Sequence, residues 1–536
     1  MSQTGPARRF DAIVIGAGTN GLVAAAALAR EGRRVLVVER SADVGGQSVV
    51  REFAPGFSAP SSIDAGWVPP VVTKGLGMTS PPSVKPDISV AVALRDGGFL
   101  SLATDAFTAA DAIRVRSTRD AERWAPFAHR IRRLATFLSA LYQIPAPDVE
   151  NHSFRELLPL LRVGRQLRGL GRADMSELLR ILPMSVQDLL DDTFEWGPLK
   201  AAVGVGGVRD TRQGPRSGGT SFILLHYLIG APVGGVRARA WWRDTPDAFS
   251  SAVADVAHRH GVLVRTNAGV ARILVRDDAV QGVALSSGEE IGAPVVISTA
   301  DPARTLLRLI DPVWLDPEFL RAVGNIKFRG CTAVVQYALG DIPRVPGLNN
   351  PTQALASVVS LTDNLDALER AYDAAKYGRV SAQPHVEITV PSLRWPTLAP
   401  AGRHVLVARV QYAPHHLRGG ATWDDDRSDD LAGAVTAAIG RVSPGFASNV
   451  LHRAVLTPDD LETRFGLTEG AVTQGELTLD QILFMRPVAG WGRYAMPIAG
   501  LYLGGSGTHP GPGVVGGSGW LAAQRVLSDA KAGGKR

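Results

Sequence analysis

The 536-residue sequence contains one cysteine, Cys331. A single thiol rules out an internal disulfide framework, a cysteine-based metal cage and a Cys-x-x-Cys pair, so thiol–disulfide exchange within the chain is excluded. Cys331 itself reads as a small buried apolar residue in a strand running to Leu339. The sequence has no uninterrupted apolar run of about twenty residues, which argues against a membrane-spanning helix. Residues 1–10 carry two arginines but no apolar stretch, so no secretory signal is expected and the expected location is cytoplasmic. The formal charge is only +6 and aromatics make up 6%, with no Lys/Arg block interleaved with aromatic residues. A nucleic-acid partner is therefore not expected. No metal-ligand spacing, Ser/His/Asp arrangement or internal repeat is readable, and the acidic run Asp424-Asp425-Asp426 reads as a solvated surface loop.

What is present is globular composition, with 45% apolar and 20% charged residues. The length favours two interleaved domains over one core. Near the N-terminus, Phe10-Asp11-Ala12-Ile13-Val14-Ile15 reads as a buried parallel strand. It runs into Gly16-Ala17-Gly18-Thr19-Asn20-Gly21, a G-x-G-x-x-G. An alanine-rich helix to Arg30, a stop at Glu31-Gly32, a second strand Val35–Val38 and the terminal acid Glu39 follow in register. Gly16 permits the tight turn, Gly18 lets the backbone reach a pyrophosphate, and Gly21 lets helix and strand pack closely. The helix N-terminus offers free N–H groups to phosphates. Glu39 is placed to accept from ribose hydroxyls, and its charge disfavours the 2′-phosphate of NADP. Beyond it, Arg40 and the run Gly45-Gly46-Gln47 bring a second backbone segment toward a long ligand. That suits FAD better than an exchangeable NAD.

The spacing predicts a return to the nucleotide-binding fold near Gly261. Strands are expected at 261–264, 267–275, 279–286 and 291–298 in a meander, followed by a helix start at Asp301-Pro302. At the C-terminus, Tyr502 to Gly517 holds Gly505, Ser506, His509, Pro510, Gly511, Gly513, Val514 and Gly516, and leads into a helix from about Ser518. Although Gly511, Gly513 and Gly516 spell a second G-x-G-x-x-G, the better reading is a glycine loop. Its backbone amides face a flavin edge, where positive potential stabilises the reduced anion. The intervening segments show long helical stretches (121–141, 175–191) and strands at 386–390 and 405–410. The expected fold is therefore α/β: a Rossmann-type FAD-binding domain (1–74, 235–310, 480–536) with an interleaved α+β substrate domain (75–234, 311–479).

Further motifs carry a family resemblance over nearly the whole chain. They are Ser217-Gly218-Gly219-Thr220 before Leu224-Leu225-His226, Gly234-Gly235, the segment Leu456–Glu462, Phe465-Gly466-Leu467, Leu479-Asp480-Gln481, Arg486-Pro487 and Tyr502–Gly513. With both glycine loops, these resemble the carotenoid/retinoid oxidoreductases, or phytoene dehydrogenase-like flavoproteins, and within them a branch named for pyridine nucleotide-disulfide oxidoreductases. The lone Cys331 excludes the chemistry in that branch name. The resemblance implies non-covalent FAD, with the strand holding Val270 against the adenine. It also implies hydride transfer between flavin N5 and a hydrophobic polyene, isoprenoid or lipid-like substrate, completed by an electron acceptor such as a quinone, oxygen or NAD(P). Two positions depart from the family pattern: Arg237–Arg243, with Trp241-Trp242, replaces a plain helix, and Gln474 stands where a histidine is expected.

Such chemistry needs positioning and water exclusion more than side-chain catalysts. His509 is the titratable candidate in the flavin loop, or else part of its scaffold. His226 and Tyr227 lie on an apolar helix near the substrate channel, where a hydrogen-bonded core histidine is the competing reading. Trp241 and Trp242 either wall the cavity or pack ordinarily, and Arg486 either closes onto the flavin or makes a surface ion pair. An amine oxidase and a non-catalytic flavin-retaining regulatory protein are the alternatives. Residues 157–172 project leucines and arginines on opposite helical faces, a pattern suited to peripheral contact with an anionic membrane.

Overall fold

The computed structural model describes residues 10–61, 66–147, 164–165, 168–237 and 240–533. Most of the basic amphipathic stretch 157–172 lies outside the described residues, as do Ala238 and Arg239. Among the described residues no helix is long and apolar enough to cross a membrane.

The N-terminal strand β1 (Ala12–Ile15) and β2 (Val35–Val38) sit inside a five-stranded parallel sheet with helix α1 (Thr19–Arg30) crossing between them. The strand order is Leu501–Leu503, Val296–Ser298, β1, β2, Leu263–Arg265. Side chains of β1 alternate between two cores, as the strand period of two requires. Ala12 and Val14 pack on the helices α1, Ala248–Arg259 and Gly517–Gly533, while Ile13 and Ile15 pack on the meander beneath. The alanines of α1 keep it thin, and the C-terminal helix lies so close that a Cβ on Gly519 would stand 1.9 Å from the Asn20 carbonyl oxygen.

The meander is narrower than the spacing suggests. Only Val270–Arg276, Ala279–Leu285 and Glu290–Gly292 form it, whereas Leu263–Arg265 and Val296–Ser298 join the parallel sheet. After Asp301, which caps Arg304 N at 2.8 Å, the turn Arg304–Arg308 is π-helical. The stretch expected as one helix over 175–191 is broken at Pro183 into Gly171–Ile181 and Val186–Asp191, because proline removes an N–H and clashes with the preceding turn.

A second, seven-stranded sheet is ordered Val450–Leu456, Thr332–Leu339, His404–Gln411, His385–Thr389, Val359–Ser360, Ile88–Ala93, Phe99–Ala103. One face is closed by Asp425–Gly440 and its neighbours around Tyr337 and Phe446. The other face turns toward the nucleotide-binding sheet. Helices around Trp124, Phe127 and Phe194 form a further cluster, with Phe127 and Phe194 edge to face at 5.0 Å. The two parts are laced together by the Val50–Pro60 hairpin, whose Ala54, Phe57 and Ala59 pack on the seven-stranded sheet, and by Trp241-Trp242 pairing with Ser83-Val84.

Candidate active site

One cavity of about 620 Å³ runs between the two sheets, within the usual range for a ligand pocket. Its first end is the glycine loop. A Cβ on Gly21 would stand 2.0 Å from the Gly16 carbonyl oxygen, so α1 seats on β1 only with glycine there. Gly45 and Gly46 adopt φ of +128° and +63°, a region costly for other residues. They bring their segment against the first loop, where Gly45 N donates to Ala17 O at 2.9 Å. The glycine pair therefore packs on the glycine loop itself and leaves Gly18 and Gly46 side by side on the cavity wall.

Glu39 is buried at the end of β2. Its Oε2 accepts from Ala17 N and its Oε1 from Ser41 N, both at 2.8 Å. Ala268 N donates to Glu39 O at 2.7 Å, which holds Ala268, Gly269 and Val270 along the same end of the cavity. Asn20, Arg40 and Gln47 line it too. Arg40 Nη2 donates to Thr463 O at 2.7 Å, and burial followed by the neighbouring Arg304 lowers its pKa. Ala17 and Gly21 shape the loop from behind the wall.

At the other end, Ser506, Pro512, Gly513, Val514, Val515 and Gly516 line the cavity ahead of the C-terminal helix. Trp67 pins this loop: its N–H donates to Gly513 O and its carbonyl accepts from Val515 N, both at 2.8 Å. Val514 and Gly516 are buried, and among the described residues their backbone N–H groups meet no acceptor. Gly505 and Pro510 stand behind the wall. Gly505 abuts the Thr299 carbonyl and Gln474, and Pro510 packs on Gly517. Gln474 fills the place of the expected histidine as a tie, accepting from Gly507 N at 2.9 Å and donating to Thr299 O at 3.1 Å.

Of the titratable candidates, only Tyr227 lines the cavity. His226 is 2% exposed and bridges Tyr142 and Pro512. Because the Pro512 carbonyl can only accept, Nε2 donates to it at 2.7 Å, and Nδ1 accepts a hydrogen bond from the Tyr142 hydroxyl at 2.8 Å. His509 Nε2 faces the carbonyls of Ile144 at 3.1 Å and Leu141 at 3.3 Å, its buried Nδ1 has no partner among the described residues, and burial pulls its pKa down to about 4. The His509 ring is a neutral support for the loop, and the His226 ring ties Pro512 to Tyr142. Arg486 corrects both readings offered for it. It is 1% exposed, makes no ion pair among the described residues and donates to five backbone carbonyls: Thr473, Gly475, Glu476, Gln481 and Ser506. Burial lowers its pKa to about 10. Its guanidinium is a pin beneath the same loop.

Apart from Arg237, Trp241 and Trp242, the far wall holds residues that no sequence motif marks. Val334, Val358, Val407, Trp241 and Trp395 supply apolar surface, with Arg394 stacked over Trp241 at 4.4 Å. Trp242 stacks on Phe249 at 5.6 Å, so both tryptophans wall the cavity. Among them run charges. Glu387 and Arg409 are cross-strand partners, Arg237 makes a two-bond pair with Glu387, and Arg409 pairs with Asp210. Arg209 pairs with Asp210 at 3.2 Å, and the Tyr227 hydroxyl donates to Asp210 Oδ2 at 3.4 Å. Burial alone pushes both carboxylates up. Around Asp210 the effect of Arg409 and Arg209 outweighs it and lowers the pKa, and Arg237 brings Glu387 down to about 2. The signal was present as alternation: His385, Glu387 and Thr389 interleave with Val386, Ile388 and Val390, so a buried strand carries one polar face.

Two family models match this chain. Residues 14–66 match a NAD(P)-binding Rossmann-like domain, and residues 120–527 match flavin-containing amine oxidoreductases. The chain belongs to the flavin-containing amine oxidoreductase family. Within it, pyridine nucleotide-disulfide oxidoreductase domain-containing protein 2 of Rattus norvegicus is 34% identical over 97% of this chain and 94% of that protein. A limonene dehydrogenase polypeptide of Castellaniella defragrans is 24% identical, covering 97% of this chain and 95% of the other. A neurosporene-forming phytoene desaturase of Cereibacter sphaeroides is 25% identical over 96% and 94%. Among solved structures, putrescine oxidase bound to putrescine shares the fold at 15% identity, with a TM-score of 0.58 over 98% of this chain and 99% of that one.

The protein is a flavin-containing oxidoreductase and its cofactor is FAD. The residues present fit that group. The cavity runs from the buried acid Glu39 to the Val514–Gly516 loop, with two glycine loops leaving room for backbone contact along it.

Proposed function

We propose that this oxidoreductase dehydrogenates a carbon–carbon bond of a substrate with a largely apolar body, in the manner of a desaturase. The observation that supports this is one cavity lined from Glu39 past the 512–516 loop to Val334, Val358, Val407, Trp241 and Trp395. In this reading Gly16, Ala17, Gly18, Asn20, Gly21, Glu39, Arg40, Gly45, Gly46, Gln47 and Val270 hold the adenosine and pyrophosphate. Gly505, Ser506, Pro510, Gly513 and Val514 form the flavin end. Attachment is non-covalent: Cys331 is buried off the cavity with its thiol pushed up to about 12 by burial, and neither His226 nor His509 lines the wall. When bound, FAD supplies the two-electron acceptor for the hydride.

The chain contributes position and dryness. The Trp67–Gly513 pairing and the Arg486 pin hold the loop, His226 fixes Pro512, and the apolar wall aligns the substrate body. Amine oxidation is the rival reading, favoured by the carboxylates of Asp210 and Glu387 on the wall. The test is the visible spectrum of purified protein, then anaerobic bleaching against isoprenoid lipids, fatty acids and amines. Bleaching by a lipid and not by amines supports the proposal. Bleaching by amines alone replaces it, and a colourless protein that takes up no FAD refutes it.

A further inference from the structure

The charges on the far wall alternate. Glu387 stands between Arg237 and Arg409, and Asp210 stands between Arg409 and Arg209. All five side chains line the cavity. Arg237 uses Nε and Nη2 on Glu387, and Arg409 uses Nη2 on Asp210 and Gln411 while its Nη1 comes no nearer than 3.6 Å to Glu387. Both arginines line the cavity, and among the described residues neither Arg237 Nη1 nor Arg409 Nε bonds to these carboxylates, whereas Glu387 takes two bonds from Arg237 and Asp210 is held by Arg409, Arg209 and the Tyr227 and Thr332 hydroxyls. A ligand arriving here meets cationic donors rather than an open acceptor.

Position agrees with this. Glu387 and Arg409 are directly opposed on neighbouring strands, with Val334 next in the same row, so the charged pair borders the apolar surface without interrupting it. Asp210 reaches Tyr227, whose ring lies 3.4 Å from where a Cβ on Gly513 would stand. The charged patch and the flavin loop are thus one side chain apart. A cluster of three guanidiniums that keeps two largely buried carboxylates ionised also disfavours a further cation.

Resting on the dehydrogenase reading above, we propose that the substrate is an organic carboxylate whose head group docks on Arg409 and Arg237 while its apolar body lies along Val334, Val358, Val407 and Trp241. The planar guanidinium fork matches the paired oxygens of a carboxylate, and an ammonium would meet repulsion from two sides.

The test titrates holoprotein with three ligands of one chain length and different heads: dodecanoate, dodecanol and dodecylamine. Perturbation of the flavin absorption band reports binding. Dodecanoate is expected to bind at least about tenfold more tightly than dodecanol, with dodecylamine weakest. In Arg409→Gln the dodecanoate advantage should fall about 10-fold or more while dodecanol affinity holds; Arg409→Lys, which keeps charge but not the fork, should recover part of it. Equal binding of all three, or preference for dodecylamine, overturns the inference. The wild-type series decides the matter even if Arg409→Gln fails to fold. Calorimetry repeats the series without the flavin as reporter, so a protein that holds no FAD fails the dehydrogenase reading while its head-group preference is still measured.

Discussion

Replacing Glu39 by glutamine tests the nucleotide end at a single atom. In the folded chain the two carboxylate oxygens accept from Ala17 N–H and Ser41 N–H, each at 2.8 Å. A carboxylate offers about four lone-pair sites, so two remain for the ribose hydroxyls of the adenosine. Glutamine keeps one acceptor oxygen and puts an NH₂ group where the other was. One backbone N–H then faces a donor, and one ribose hydroxyl loses its acceptor. The first loss exists with or without cofactor, and an unsatisfied buried donor costs about 1–3 kcal/mol, so Tm should drop in both apo and holo forms. The second is felt only on binding. A hydrogen bond to a charged group contributes about 1.5–3 kcal/mol, so FAD affinity should weaken roughly 10- to 150-fold. Titrating apoprotein with FAD and following the quenching of flavin fluorescence gives the dissociation constant. Unchanged affinity together with unchanged Tm would refute the placement of the ribose at Glu39.

Other consequences are as direct. Glu387→Leu leaves Arg237, with a side chain 4% exposed, beside Arg409 without its carboxylate, and should cost about 3–5 kcal/mol; thermal denaturation checks it, and Arg237→Met in the same chain should restore part of the loss. Glu387 titrates at about 2 when folded and near 4.3 when unfolded, so its stabilisation is complete above the unfolded value and is lost as pH falls toward 2. His385 and His509 are both held down to about 4 by burial, so the unfolded chain binds protons first and stability should fall between about pH 6.5 and 4. Denaturant midpoints across that range should show a shallower slope in His509→Gln. Gly21→Ala places a methyl 2.0 Å from the Gly16 carbonyl oxygen and should abolish flavin retention, read as loss of visible absorbance in whatever folded protein is recovered.

The nucleotide end is legible in sequence because its physics is local. Strand, tight turn, helix start, second strand and acid follow within Ala12–Glu39, and Gly16 and Gly21 leave no room for a Cβ. The far wall is assembled from Asp210, Arg237, Glu387 and Arg409, which lie on four separate segments and meet only through strand register and helix packing. No spacing rule reaches across such distances. The histidines show the opposite failure: a titratable residue beside a glycine loop attracts attention in sequence, yet His226 and His509 are buried props that do not line the cavity. Alternation was the usable clue. A strand reading His385-x-Glu387-x-Thr389 next to one reading Arg409-x-Gln411 cannot bury both faces in apolar core, because ionised groups are strongly disfavoured there without partners. Either the polar face is sealed by ion pairs or it borders a ligand. Here the cross-strand pair Glu387–Arg409 does the first, and the cavity in front of it does the second.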